Sequence, residues 1–214
     1  MRMETVLLSY WRSSCSYRVR IALNWKRVEY QYQAVNLLKG EQSAEEYKEQ
    51  ENAMGVVPTL HIDGAVLTES VAIIEYLEET RPEHPLLPES PVDRATVRAL
   101  CSMIGSGIQP IQNLWVLKKV AEFEEEHKMP WGKFVIERGF QALEKVLSRT
   151  SGTYCCGSQV TMADLFLVPQ VFNAARFGVD VTSFPNIHRI YEALSELPEF
   201  QQAHPDQQPD AVPV

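Results

Sequence analysis

Val57-Pro58-Thr59-Leu60-His61-Ile62-Asp63-Gly64-Ala65-Val66-Leu67 decides the fold of the first part of this 214-residue chain. Two short runs of β-forming residues flank Asp63-Gly64, a dipeptide suited to the positive φ angles of a two-residue hairpin turn. Pro58 opens the first run, where a strand can do without an N–H. Upstream, Tyr30, Tyr32 and Ala34 alternate with glutamines and predict another strand, and a short acidic helix is expected around Ala44 to Glu49. Further upstream, an apolar strand from about Glu4 to Tyr10 leads into a helix from Cys15 to about Lys26. Downstream, Ser70 is expected to cap a helix from Val71 to about Glu79 that stops before Pro82.

A parallel strand–helix–strand unit joined to an antiparallel hairpin and a final helix is a thioredoxin-like arrangement. That fold commonly carries a cis proline at the entry to the hairpin, so the Val57–Pro58 bond is predicted to be cis. Residues 83–91, Glu83-His84-Pro85-Leu86-Leu87-Pro88-Glu89-Ser90-Pro91, form a proline-rich linker between a first domain (1–82) and a second (92–214). Ser90-Pro91-Val92-Asp93 starts a helix: a capping serine, proline at the first position and a carboxylate in the first turn. No convincing strand follows. Helical patterns run through Arg94 to Gly105, Ile111 to about His127, Trp131 to Arg149, Thr161 to Arg176 and Phe184 to Leu197, with a break between Gly105 and Pro110. The fold class is therefore an α/β thioredoxin-like domain followed by an all-α helical bundle. Thr161-Met162-Ala163-Asp164 reads as a capping box flanked by a Val160–Leu165 staple, a folding signal. The acidic run Glu122-Phe123-Glu124-Glu125-Glu126 reads as a solvated helix face. The tail from Pro205, rich in Pro, Gln and Asp, is expected to be poorly ordered.

Bulk properties exclude several classes. The net charge is -8 and no basic stripe is visible, so nucleic acid and anionic membrane are not expected partners. Four cysteines (Cys15, Cys101, Cys155, Cys156) include no Cys-x-x-Cys pair, and the five histidines are scattered, so neither a disulfide framework nor a metal site is expected. No signal peptide or membrane-length apolar stretch is visible. A reducing compartment, most simply the cytoplasm, fits this usage.

Chemistry concentrates in Arg12-Ser13-Ser14-Cys15-Ser16-Tyr17-Arg18-Val19-Arg20. Hydroxyls and a thiol stand where a helix start leaves N–H groups unpaired and where the helix dipole favours an anion such as a thiolate. Two readings fit these residues alone. Ser13 or Ser14 can be a plain N-cap with Cys15 a small packing residue, or the site can handle sulfur, from the chain's own thiol or a bound one.

The arrangement of both halves resembles the cytosolic glutathione transferases, over nearly the whole chain. Ser13-Ser14-Cys15-Ser16 followed by Tyr17-Arg18-Val19-Arg20-Ile21-Ala22-Leu23 resembles the signature of their zeta class, and Ile108-Gln109-Pro110-Ile111-Gln112-Asn113-Leu114 and Thr161-Met162-Ala163-Asp164-Leu165 match it as well. The resemblance implies a glutathione-dependent enzyme that converts maleylacetoacetate to fumarylacetoacetate in tyrosine and phenylalanine breakdown. It also implies a symmetric homodimer and a class that often accepts α-halo acids. Trp115 stands where relatives usually have a smaller or polar residue, which implies a different pocket or rim, while Ala53 and Val56 depart from the usual residues before Val57-Pro58 without removing a chemical group.

On that resemblance, Ser13 donates to the glutathione sulfur with Ser14 and Cys15 beside it, and Val57, before Pro58, offers backbone groups to the tripeptide as an added strand would. Ser70 holds the γ-glutamyl carboxylate and Glu69 the γ-glutamyl ammonium, while Gln42, Gln109 and Asn113 complete the cradle. Arg176, assisted by Gln109, takes the carboxylate of a small anionic unsaturated keto acid. The implied chemistry needs no metal and no redox change: thiolate addition makes the cis double bond rotatable, and elimination leaves the trans product. A free thiol near pKa ~8.5 needs about 2.7 kcal/mol to ionise two units lower. One charge-assisted hydrogen bond (~1.5–3 kcal/mol) plus a helix terminus (~0.3–1 kcal/mol) supplies that. Two alternatives remain open: a glutathione-dependent thiol reductase built on Cys15, and a non-catalytic glutathione-transferase-like module for protein association.

Overall fold

The computed structural model describes residues 4–212. Val6–Ser9 (β1), whose Leu7, Leu8 and Ser9 are buried, runs down the middle of a four-stranded sheet. Its neighbours are Gln31–Ala34 (β2), parallel to it, and Thr59–Ile62 (β3), antiparallel, with Ala65–Thr68 (β4) completing the order β2-β1-β3-β4. The registers pair Leu7 with Tyr32 on one side and with Leu60 on the other. The β3–β4 turn places Asp63 at φ 52° and Gly64 at φ 81°, the left-handed geometry that Asp-Gly predicts. The Val57–Pro58 bond is cis, as expected.

Ser14–Trp25 (α1) connects the parallel strands, Glu45–Gln50 (α2) follows β2, and Ser70–Thr80 (α3) follows the hairpin. Every α1 residue from Ser16 to Leu23 is buried, because α3 packs on one side and Pro198–Ala203, the last helix of the chain, on the other. Two arginines, Arg18 and Arg20, therefore lie inside the domain and are among its largest fully buried side chains. Lys26 is buried as well, its ammonium held by Glu78 Oε2 at 2.5 Å and the carbonyls of Arg81 (2.8 Å) and Glu83 (3.3 Å). A long charged side chain survives burial only when its donors find acceptors in this way.

Contacts divide the chain into two units, Met1–His84 with Leu197–Val214 and Pro85–Glu196. The division falls between His84 and Pro85, and residues 197–214 group with the first unit and not with the helices before them. The expected disorder of the tail is overturned too. Pro205–Gln207 forms a 3₁₀ turn, Pro205 and Gln208 are buried, and Gln208 Nε2 donates to the carbonyls of Gln202 and His204. Polar composition had suggested a segment unable to bury itself, yet its partners are backbone groups already ordered by the domain.

The second unit is helical, as predicted: Pro91–Gly105 (α4), Leu114–Phe123 (α5), Lys128–Thr150 (α6), Met162–Arg176 (α7) and Pro185–Ser195 (α8). The helix of 198–203 is α9. Ser90 caps α4 with Pro91 at its first position. The helix expected from Ile111 to His127 is broken into a 3₁₀ turn Gln109–Gln112, α5, and a second 3₁₀ turn Glu125–His127. The acidic run is exposed throughout, and Glu124, Glu126 and His127 bring ligand atoms within 4.8 Å of one another on an open surface. α7 is the centre of the unit, with Met162 to Val171 all buried, as a helix apolar on every side requires. Its start is locked by the predicted box. Asp164 accepts from Thr161 N (2.7 Å), Thr161 Oγ1 (3.0 Å) and Cys155 N (2.9 Å). Glu144 on α6 closes the N-terminus of α8 through the N–H groups of Asn186 (2.8 Å) and Ile187 (3.1 Å).

Candidate active site

β1 ends in a tight turn. Ser13 N donates to the Tyr10 carbonyl at 2.9 Å, and Ser13, at φ -70° and ψ 117°, becomes the N-cap of α1. Its Oγ accepts from Ser16 N at 3.2 Å. A hydroxyl that accepts one bond keeps its proton to donate, so the capping role and a role toward sulfur are compatible in one side chain. Ser14 and Cys15 form the first turn of α1 and are half-buried beside it. Cys15 is a free thiol.

The second anchor is the start of α3. Ser70 was expected to be the cap; the structure makes it the first helical residue and gives the cap position to Glu69, at φ 67° and ψ 115°. A non-glycine residue in that region stores backbone strain of about 1–3 kcal/mol, which accumulates at functional sites. The Glu69 side chain is exposed and makes no bond to the helix, so the N-terminal N–H groups of α3 have no side-chain cap. Such an end favours an anion.

Arg18 ties the two helix starts together. Its Nη1 donates to Ser70 Oγ at 3.2 Å and lies 3.7 Å from Cys15 Sγ. No role had been given to Arg18 from sequence. The available signal was an arginine on a helix face otherwise made of Val19, Ala22 and Leu23.

Gln42 lies against the backbone two residues before Val57. A Cβ on Gly55 would come within 2.9 Å of the Gln42 carbonyl, so the chain at 55 runs against the 3₁₀ turn Glu41–Ser43. Tyr47 OH donates to the Val56 carbonyl at 2.9 Å and lies 3.3 Å from Thr59 Oγ1, which holds the segment around the cis bond. Val57 packs in a buried cluster with Leu8, Tyr10, Trp11 and Val35. Gln42 Oε1 is buried with no hydrogen-bond partner among the described residues. An uncapped helix start, a hydroxyl at a second helix start and a buried unpaired amide oxygen fit a ligand that carries a carboxylate, a thiol and peptide N–H groups. Glutathione is such a molecule.

In the second unit, Gln109 opens the 3₁₀ turn and Asn113 caps α5, accepting from Leu114 N at 2.6 Å while its NH₂ stays available. Arg176 ends α7, exposed, with its guanidinium 5.7 Å from the Phe177 ring centroid. Asn173, one turn earlier, donates to Gln112 Oε1 at 2.7 Å and so joins this end of α7 to the 109–112 turn. Gly132 on α6 makes room for Phe177, since a Cβ there would approach its ring to 2.3 Å. Trp115 is 66 % exposed. Cys155 and Cys156 are held as thiols. Burial pushes the Cys155 thiol well up, and burial with the Asp164 charge raises Cys156 to about 11.

Comparison with known proteins bears on these residues directly. Residues 7–85 match the model of the glutathione S-transferase N-terminal domain and residues 109–202 that of its C-terminal domain. A maleylacetoacetate isomerase of Dictyostelium discoideum is 50 % identical over 214 residues, covering 98 % of this chain and 97 % of the relative. A protein of Euphorbia esula named glutathione S-transferase zeta class is 50 % identical, covering 96 % and 92 %. The crystal structure of a maleylacetoacetate isomerase from Anaeromyxobacter dehalogenans 2CP-1, with glutathione bound in its active site, superimposes with a TM-score of 0.91 at 44 % identity, covering 99 % of both chains.

Proposed function

This chain belongs to the glutathione S-transferase family, in its zeta class, and we propose that it uses glutathione to convert maleylacetoacetate into fumarylacetoacetate. The observation that carries the reading is the meeting of two helix starts through Arg18, one bearing Ser13, Ser14 and Cys15 and the other Ser70. Bound glutathione supplies a thiolate that adds reversibly to an activated cis alkene and frees it to rotate. The chain's own part is to keep that sulfur ionised, to hold the tripeptide and to place the keto acid.

Ser13 donates its remaining proton to sulfur while the α1 dipole favours the negative charge. Ser14 and Cys15 line the same turn. Ser70 and the open N-terminus of α3 take the γ-glutamyl carboxylate, and the exposed Glu69 takes the ammonium. Val57, set by cis Pro58, offers its backbone to the cysteinyl amide. Gln42 Oε1 accepts a peptide N–H. Asn113 and Gln109 are the further glutathione contacts that the zeta-class resemblance implies. Arg176, with Gln109, binds the substrate carboxylate, and its planar guanidinium suits a bidentate grip. No part of this assignment requires a metal. The reductase reading is weaker, because Cys101, Cys155 and Cys156 all belong to the second unit and none accompanies Cys15 in the first. A homodimer and a cytoplasmic site of action are parts of the proposal. Sedimentation showing only a monomer at working concentration would remove the first.

The test is conversion of the cis keto acid followed by NMR with glutathione, without it, and with S-methylglutathione. Turnover only with the free thiol, and competitive inhibition by the methylated tripeptide, is the expected result. Equal turnover without glutathione would overturn the proposal.

A further inference from the structure

The turn that presents Ser13 is held from a distant part of the chain. Trp11, two residues before Ser13, is buried, and both of its backbone polar groups have side-chain partners. Its N–H donates to Asp210 Oδ2 at 3.1 Å, and its carbonyl accepts from Arg20 Nη2 at 3.1 Å. Asp210 is itself oriented by Tyr32 OH on β2, which donates to Oδ1 at 2.6 Å. Arg20 is oriented by the carbonyl of Ala203 on α9 (3.0 Å) and by Ser9 Oγ (3.3 Å). Ala211 packs against the cluster that contains Trp11 and Val57. The segment after α9 therefore reaches the backbone of the turn that leads to Ser13 and packs on the apolar cluster to which Val57 belongs.

We propose that Asp210 is a positioning residue, whose carboxylate fixes the Tyr10–Ser13 turn and thereby the aim of the Ser13 hydroxyl at the glutathione sulfur. The inference rests on the proposed function only for the identity of the thiol. A bond to a backbone N–H at the turn sets where the next residues point, and a misplacement of about 1 Å can cost as much as ~10²-fold in a reacting geometry. The charged or ionisable groups shown against Asp210 are Arg20 from α1 and the phenol of Tyr32, while Tyr30 and Tyr17 face Arg20. They make the sign of the effect decisive. If Asp210 acted only through its charge, removing it would help a nearby thiolate form. If it acts by positioning, removing it makes the thiolate harder to form.

The experiment is a titration of bound glutathione by the ultraviolet absorbance of its thiolate, in wild type, Asp210→Ala, Asp210→Asn and Ser13→Ala. Asp210→Ala is expected to lower the ionisation constant of the bound thiol about tenfold, the lower end for one mis-set charge-assisted hydrogen bond. Asp210→Asn keeps an acceptor for the Trp11 N–H and is expected to stay within about twofold of wild type, since the bond survives as a neutral one. In the Ser13→Ala background, Asp210→Ala should add nothing. An unchanged or enhanced ionisation in Asp210→Ala overturns the inference, even if its melting temperature falls. So does an Asp210→Asn defect as large as that of the alanine variant. If Asp210→Ala does not fold, Tyr32→Phe, which removes only the phenol anchoring the carboxylate, must shift ionisation in the same direction, and no shift overturns the inference. Wild type that fails to bind glutathione would remove the functional reading and this inference together. Wild type that ionises it normally, alongside an equally competent Asp210→Ala, removes this inference alone.

Discussion

Replacing Asp164 with alanine tests how the helical unit is held together. The side chain is fully buried, and its carboxylate accepts the N–H groups of Thr161 and Cys155 and the Thr161 hydroxyl. Alanine leaves two backbone N–H groups buried without an acceptor, at about 1–3 kcal/mol each. Burial already pushes the Asp164 carboxyl above its ordinary value, outweighing the bonds that lower it. The ionised carboxylate therefore returns only part of what those bonds are worth, and we place the net loss at about 3 kcal/mol. For a chain of this length that lowers Tm by ~6–12 °C. Calorimetry and urea midpoints on Asp164→Ala measure it. The pH dependence carries a sign. A carboxyl whose folded pKa lies above the unfolded 3.8 contributes stability that is full below 3.8 and is lost as pH rises through the folded value. The stability gap between wild type and the non-titrating Asp164→Asn should therefore be widest in acid and narrow upward. A loss below about 1 kcal/mol would refute the hydrogen-bond accounting, and a gap that widens with pH would refute the dominance of burial.

Further outcomes follow from other residues. Arg176→Ala is expected to raise KM for the keto acid about 30- to 150-fold, the range for losing a charge-assisted bond of ~2–3 kcal/mol, while leaving the affinity for glutathione unchanged in direct titration. Gly132→Ala forces its methyl into the Phe177 ring and should cost ~1–3 kcal/mol of stability. It should also raise KM for the keto acid, because Phe177 adjoins Arg176; an unchanged KM would detach that helix contact from the site. Alkylation at pH 8 followed by mass spectrometry should spare Cys155 and Cys156, whose thiols burial keeps protonated. Modification of Cys156 ahead of Cys15 would contradict that.

What sequence reveals here is what neighbours along the chain decide. The Asp63-Gly64 turn, Pro91 at the start of α4 and the Thr161–Asp164 box are each complete within about four residues, and each was legible. Ser13 at a helix start was legible for the same reason. Ser70 was placed one residue off, because the cap went to Glu69, whose positive φ no local preference of glutamate predicts. Arg18 and Arg20 were read past, since their partners are Ser70, 52 residues away, and Ala203, 183 residues away. Asp210 was assigned to a loose tail for the same cause, its partners being Trp11 and Tyr32. Hydrogen bonds between residues far apart in the chain leave no periodicity to read.

Glutathione-dependent isomerisation of maleylacetone, the stable analogue, by wild type and Ser13→Ala tests the central claim most directly. The cap function alone predicts a loss of about 1 kcal/mol in stability, which denaturation measures separately. The account predicts turnover in wild type that needs glutathione and falls about 10- to 10²-fold in the folded variant, as the loss of one charge-assisted hydrogen bond of ~1.5–2.7 kcal/mol requires. Undiminished turnover in Ser13→Ala would contradict it and move the thiolate contact to Ser14 or Cys15.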